Sequence, residues 1–472
     1  MQRRQDKRSP ALRMTRNFFL HIHSPRVHAH SLRPGTTLGL GVLAAFLFLI
    51  LLLSGALLML YYTPSIERAY SSVKEIIFVV PGGRYIRNMH RWAGHGLVLV
   101  AFLHLVRVFY TASYLKGRTL NWIIGIAMLV VTLFLSFSGY LLPWDQLAYW
   151  AVTIGANIAA SIRELTDALG ITRAVDIGGL LKRILIGGEI VGQAALSRFY
   201  MLHVVFLPLT LLVLLAVHIW RIRKDGGLSR PDHFEERARN DKGTSAEMID
   251  LENSSDDKKD DQKVWAWPNA LWGELTVLML TLAVTFLLAV FFDAPLREAA
   301  NPAIPENPAK SPWYFLGIQE LVSYSAFAGG ILIPAGFIAF LVSIPFIDRE
   351  SDHIGIWFSG RVGLRTCLRS ALFAVVTTIA LFAFYIHFGW LRDWLPGAPQ
   401  LVIILLNPAT LITAIYALWS IVIRRSTQSP RQAAMALFTC VMIGYIIFTI
   451  IGVHFRGPNW EFYWLKSMWP AP

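Results

Sequence analysis

The chain has 472 residues, 55% hydrophobic and 15% charged, with a mean hydropathy of +0.50. That balance excludes an ordinary soluble domain, in which about a quarter of residues are charged, and marks an integral membrane protein. The formal net charge of +13 is accounted for by basic loops on the cytoplasmic side and by anionic lipid, so no nucleic-acid partner is expected.

Residues 1–36 open on "MQRRQDKRSPALRMTRNFF", a basic segment expected to stay in the cytoplasm. No small-residue cleavage site follows, so no removable signal peptide is read. Apolar runs of the roughly 20 residues that cross a bilayer then lie at about 37 to 62, 92 to 113, 121 to 142 and 201 to 222. Between the third and fourth, residues 143–199 carry short amphipathic stretches, "SIRELTDALG" and "GGLLKRILIGG". Residues 224–264 mix both signs of charge and are poor in aromatics, which predicts a flexible cytoplasmic linker. Five further runs follow at about 270 to 293, 328 to 347, 368 to 388, 399 to 423 and 433 to 453, with a proline-rich outer segment at 294–326. Basic residues in "YLKGRTLNW", "WRIRKDGG" and "IRRSTQSPRQ" fall on the same side as the N-terminus. The expected fold is an all-α integral membrane protein: a four-helix bundle at 37–223, a three-helix domain at 265–390, and two additional helices at 391–472.

Histidines are the unusual content of this apolar chain. An α-helix advances about 100° per residue, so His90 and His104, fourteen apart, differ by about 40° from whole turns and share a face. His95 faces elsewhere and reads as a bystander. On the fourth helix His203 and His218 are fifteen apart, about 60° out of phase, with Pro208 between them able to bend the helix. Along the axis the members of each pair lie roughly 20 Å apart, too far to share one metal. Two stacked bis-histidine haems in a four-helix bundle fit this spacing, with His90 paired to His203 on the outer side and His104 to His218 on the inner side.

Gly41 and Gly55 on the first helix and Gly125 and Gly139 on the third repeat the same interval of fourteen. A residue without a side chain lets a flat macrocycle approach the backbone, so these four are expected to make room for haem. Arg87, Arg91 and Arg107 bracket the histidines at spacings suited to haem propionates. Cys367 and Cys440 lie far apart and no CxxCH occurs, which leaves neither a covalent haem c motif nor an iron–sulfur cluster.

The strings "RNMHRWAGHGLVLVAFLHLVRVF", "SGYLLPWDQLAYWAV" and "SRFYMLHVVFLPLTLLVLLAVHIWRIRKDG" closely resemble the cytochrome b subunit of quinol-oxidising cytochrome bc complexes. The interval of fifteen between His203 and His218 looks like the chloroplast variety, here fused through the linker to its smaller companion subunit. The resemblance covers roughly residues 20–390, so the last two helices carry no assigned role. It implies a multi-pass protein of the cytoplasmic membrane in a dimeric complex, with two non-covalent haems b, quinone as substrate, a Rieske iron–sulfur protein as partner and a c-type cytochrome or equivalent acceptor beyond it. It also implies the Q cycle: quinol gives one electron to the Rieske protein and the other, through the two haems, to an inner quinone site, with proton translocation.

In this family the outer quinol site is built from the loop after the third helix, matched by Pro143, Trp144, Asp145 and Gln146, and from a Pro-Glu-Trp-Tyr motif. The latter reads Ser311, Pro312, Trp313, Tyr314, so the glutamate that takes a quinol proton is replaced by proline. Glu320, seven residues beyond Trp313 and about 20° from its face, is expected to take that proton instead, with Tyr314 and Asp145 next in line. At the inner side Arg223, His28 and His30 are candidate quinone-side groups. Gly39 stands where the chloroplast type has a haem-tethering cysteine, so no covalent haem is expected. A haem b anchor of a hydrogenase or formate dehydrogenase, and a proton-relaying transporter, are the rival readings; neither accounts for the glycine repeat or the two outer motifs.

Overall fold

The computed structural model describes residues 26–225, 227, 228, 231 and 263–470; the basic segment 1–25 and residues 232–262 of the linker lie outside the described residues. In hydrocarbon every backbone N–H and C=O has to be satisfied within the segment, and long apolar runs therefore become helices. They are α1 (Leu40–Met59), α2 (Ala69–Phe78), α3 (Gly83–Tyr110), α4 (Thr119–Tyr140), α5 (Gln146–Ala160), α6 (Ile162–Ala168), α7 (Ile177–Ile186) and α8 (Gln193–Met201). A π turn (Leu202–Phe206) joins α8 to α9 (Leu207–Lys224). After the linker come α10 (Ala266–Phe291), α11 (Trp313–Tyr324), α12 (Ile333–Ile347), α13 (Arg361–Phe388), α14 (Gln400–Leu406), α15 (Pro408–Thr427) and α16 (Pro430–His454). Among the described residues β1 (Arg26–His28) and β2 (Lys263–Trp265) form one short antiparallel pair, with Arg26 opposite Trp265. The all-α membrane fold is as expected.

Among the described residues eight helices are long and apolar enough to cross a membrane, or nine if the bent pair α14 and α15 is one span. That pair bends by 46° where Asn407 accepts a hydrogen bond from Thr410 N and Pro408 begins the new helix. A proline and a capping side chain at one point stop one ladder and start another. Helix α3 begins at Gly83 rather than near residue 92, because its polar first turns are anchored to protein instead of lipid. Arg84 pairs with Asp293 at 2.6 Å, Arg87 donates to the carbonyls of Ala294 and Pro295, and Asn88 donates to that of Ala289.

In the front bundle α1 packs on α3 and α9 on α4, with α10 laid against α3 and α1. The last helices are no appendage. Helix α16 packs on α11, α13 and α15, and 44% of its apolar window is buried, more than in any other span. Phe438 on α16 stacks on Phe109 of α3 at 4.0 Å, and Tyr110 and Thr439 share a hydrogen bond of 2.8 Å. Asp348, after α12, is fully buried with Arg431 of α16 at 2.8 Å and the Tyr114 hydroxyl at 2.7 Å. One carboxylate thus ties together the ends of α3, α12 and α16.

Removing one partner of a buried ion pair strands the other charge, at about 3–5 kcal/mol. Asp348→Ala is therefore expected to lower the thermal unfolding midpoint of the detergent-purified protein sharply. A midpoint equal to wild type would show that the pair does not hold these helices.

Candidate functional site

Four of the intramembrane histidines meet in two facing pairs. The rings of His90 and His203 lie 6.1 Å apart between centres and cross at 76°; those of His104 and His218 lie 6.5 Å apart at 77°. His203 sits in the π turn, and this corrects the expected phase error. A π turn uses one residue more than an α turn, so the interval of fifteen acts as fourteen and matches α3. Pro208, having no N–H, cannot close the α ladder at this point. The proline acts through the π turn, not through a simple bend. Residues Ala328–Leu332 form a second π turn just before Pro334, and α12 begins after it.

Each glycine of the fourteen-residue repeat faces one histidine. A Cβ built on Gly41 would lie 3.5 Å from the His104 ring, on Gly55 3.1 Å from His90, on Gly125 3.7 Å from His218, and on Gly139 2.5 Å from His203. The room left by the missing side chains is taken by imidazole, and it is tightest at Gly139.

The nitrogen chemistry of the upper pair is determinate. His203 Nδ1 lies 3.0 Å from the Leu135 carbonyl, which can only accept, so Nδ1 carries the hydrogen. His90 Nδ1 lies 2.9 Å from Ser54 Oγ, whose own hydrogen goes to the Ile50 carbonyl at 2.6 Å. Both rings therefore keep the Nε2 lone pair for a metal.

Among the described residues no three His, Cys, Asp or Glu side chains converge on a point, which excludes a four-ligand protein zinc site there. Two imidazoles per site suit a metal whose other ligands come from a macrocycle. With metal–imidazole bonds of about 2 Å, ring centres 6.1 and 6.5 Å apart would leave room for one metal ion between the imidazoles of each pair.

Around the lower pair lies a cavity lined by Gly41, Gly125, Leu211 and Leu215, with Arg107, Arg118 and Asp225 among its polar residues. His104 Nδ1, His218 Nδ1, Asn121 Oδ1 and Asp225 Oδ2 are buried there without a hydrogen bond of ordinary geometry. An apolar slot with cationic edges fits haem and its propionates.

The expected arginines divide. Arg107 is buried beside His104 and donates to the Thr36 carbonyl at 3.3 Å. Arg118, in the loop after α3, joins it, and the sequence pattern did not single it out because it lies outside the helix. Arg91 is half-buried next to His90. Arg87 is a correction: both terminal nitrogens hold the Ala294 and Pro295 carbonyls, so it anchors the chain after α10. Arg223 does not line the cavity; its neighbour Arg221 pairs with Asp225 at 2.9 Å. His28 lies in β1 and His30 in the turn after it.

At the His90 end, Pro143 to Gln146 are stitched to residues 297–304. Asp145 accepts from Ala148 N and Arg297 N, Gln146 accepts from Asn301 N, and Ala300 N donates to the Trp144 carbonyl. Trp144 holds φ +52°, a conformation a bulky residue seldom adopts unless its surroundings enforce it. Asp145 is thus a helix cap and strap, with both oxygens engaged.

Glu320 is the second correction. It is completely buried, and each oxygen already takes two hydrogen bonds. Oε1 accepts from Arg456 Nη2 at 2.5 Å and the Tyr324 hydroxyl at 2.7 Å; Oε2 accepts from Arg456 Nε and Trp460 Nε1, both at 3.0 Å. A carboxylate has about four acceptor positions, and none is left for an incoming proton. Sequence spacing placed it on the right helix but could not show Arg456 arriving from beyond α16.

His95, off the ligand stripe as expected, makes contacts that its helix position did not reveal. Trp313 Nε1 donates to His95 Nδ1 at 3.1 Å, and the imidazole stands edge-on to Tyr314 at 5.5 Å. Tyr314 is buried, its hydroxyl on Ser136 and its carbonyl accepting from the Tyr445 hydroxyl of α16. Facing away from the ligand stripe, His95 faces the Trp-Tyr motif.

The Glu320 geometry separates a stability role from a proton-accepting one. Glu320→Gln and Arg456→Met, each alone, are expected to cost about 3–5 kcal/mol in thermal unfolding. The double variant Glu320→Leu with Arg456→Met should recover much of that loss, since a packed apolar pair carries no stranded charge. A double variant no better than the singles contradicts the assignment.

Comparison with known proteins bears on the same region. A family model described as cytochrome b(N-terminal)/b6/petB matches residues 95–304. Cytochrome b6 of Heliobacterium mobile is 42% identical over 187 residues, 40% of this chain and 82% of that protein. Cytochrome b6 of Prochlorococcus marinus (strain MIT 9211) is 39% identical over the same length, 80% of that protein. A chain of the hyperthermophilic respiratory Complex III superimposes with a TM-score of 0.57 at 25% identity, covering 87% of this chain and 89% of that one. With its histidine-bearing bundle and this identity across most of the length of those relatives, the chain belongs to the cytochrome b/b6 family of membrane haem proteins.

Proposed function

We propose that the chain is the di-haem cytochrome b subunit of a quinol-oxidising, complex III-like assembly. The observation that carries the reading is the double coincidence of two facing imidazole pairs and four glycines, each glycine set against one of those imidazoles. His90 with His203 and His104 with His218 would each hold one non-covalent haem b, the two sites separated by roughly 20 Å along the bundle. Arg107 and Arg118 are the propionate partners at the lower site, and Arg91 is the cation nearest the upper one.

When bound, the haems supply one-electron carriers at the two ends of the bundle, so that one electron of a quinol can go to a Rieske protein and the other towards a quinone at the opposite face. The chain's own part is to orient the imidazoles through Ser54, Leu135 and Ser138, and to exclude water with the apolar lining. Trp313, Tyr314, Pro143 and Trp144 form the quinol end, and the strapping of Asp145 and Gln146 keeps that end rigid. The N-terminus lies in the cytoplasm in this reading, which puts the His90 end on the outer face of the cytoplasmic membrane. A c-type cytochrome or equivalent accepts electrons beyond the Rieske protein, and the complex is dimeric.

A redox-titrated absorption spectrum of the purified complex is expected to resolve two b-type components of different potential. His90→Phe and His104→Phe should each abolish a different one. Gly139→Ala, whose methyl would sit 2.5 Å from His203, is expected to abolish the component lost in His90→Phe. Gly125→Ala, with 3.7 Å available, should leave both. One component only in the wild type, or both intact in His90→Phe, would overturn the assignment. So would a haem band that survives denaturing electrophoresis, for the non-covalent attachment.

A further inference from the structure

The site motif leaves a chemical gap. Pro312 stands where a quinol-binding carboxylate is expected, all four acceptor positions of Glu320 are filled, and both oxygens of Asp145 hold backbone N–H groups. The Tyr314 hydroxyl is taken by Ser136. Among the described residues, a polar side chain in contact with the Trp313–Tyr314 pair keeps an unused atom. It is His95, half-buried on α3, whose Nε2 makes no hydrogen bond among the described residues.

An indole N–H can only donate, so the bond from Trp313 Nε1 makes His95 Nδ1 the acceptor and puts the hydrogen of the neutral ring on Nε2. The tautomer is thereby set by the same tryptophan that opens α11. Tyr314 at 5.5 Å and Trp92 at 5.6 Å confine the ring from two sides. A fixed N–H donor beside two aromatic faces suits a flat ring bearing an oxygen.

We propose that His95 is a quinol-binding residue of the outer site, donating its Nε2–H to an oxygen of the substrate, with Trp313 as the positioning residue that holds the tautomer. The proposal rests on the quinol-oxidising reading above and adds to it the group that replaces the missing carboxylate as a substrate contact. It assigns His95 a hydrogen bond and no proton uptake.

The test is steady-state quinol oxidation by the intact complex, using a soluble short-chain quinol, with both b-type bands recorded for every variant. Losing one neutral hydrogen bond corresponds to roughly a tenfold change in affinity. His95→Phe is therefore expected to raise KM about tenfold with kcat within about twofold of wild type and both haem bands present. His95→Leu serves the same comparison where the phenyl ring disturbs those bands. His95→Gln keeps an N–H donor and is expected to bring KM back to within about threefold of wild type. Trp313→Phe should raise KM in the wild-type background and change it no further in His95→Phe. An unchanged KM in His95→Phe or His95→Leu overturns the proposal, as does a Gln variant no better than Phe, which would mean that ring shape matters and the donor does not. A wild-type complex that does not oxidise quinol overturns the underlying reading and this one with it.

Discussion

A histidine in hydrocarbon has to satisfy both ring nitrogens, because the water that would do so is absent. The front bundle is organised around that requirement. Nδ1 of the upper histidines is bound to Ser54, Leu135 and Ser138, and the two rings face each other across the bundle at 6.1 Å between centres. The glycines follow from the same demand. Only at a position without Cβ can helix α1 come close enough to α3, or α4 to α9, while a ring stands between them. In the proposed reading a haem would complete the remaining valence, so that cofactor binding and bundle packing would be one problem with one solution.

The second half of the chain obeys the complementary rule for carboxylates. Glu320 and Asp348 are both fully buried, and both are matched by arginines from the last helix or just beyond it, Arg456 and Arg431. A buried ion pair contributes little by itself but is costly to break. Here it dictates where α16 must lie. The two helices that resembled nothing familiar are consequently central: α16 seats against α11, and its Tyr445 hydroxyl reaches the Tyr314 carbonyl within the motif. The Trp313–Tyr314 end of the molecule is supported from behind by a helix that lies outside the family-matched residues 95–304.

Strapping at the His90 end serves the same purpose. The loop after α4 and the segment after α10 exchange backbone hydrogen bonds through Asp145, Gln146 and Trp144, and Arg84, Arg87 and Asn88 fasten the start of α3 to the end of α10. Polar residues at the bundle rim, which read from composition as propionate or proton partners, are in large part structural fasteners. Loops carrying a site need such anchoring, because placement errors of about 1 Å are enough to spoil reactivity.

What the sequence determined by itself was everything that depends on period and length. Apolar runs located the spans, and the interval of fourteen in histidine and glycine located the imidazoles that face one another and the glycines set against them. These features repeat along one helix, and helix geometry is local. Tertiary structure alone decided what depends on which groups meet across helices: the π turn that brings His203 into phase, the saturation of Glu320 by Arg456, the diversion of Arg87 to two carbonyls, and the contact of His95 with Trp313. Each of these joins residues from 136 to 218 positions apart or alters a helix by a single turn, and hydrogen-bond partners at that range are chosen by packing, which no local periodicity encodes.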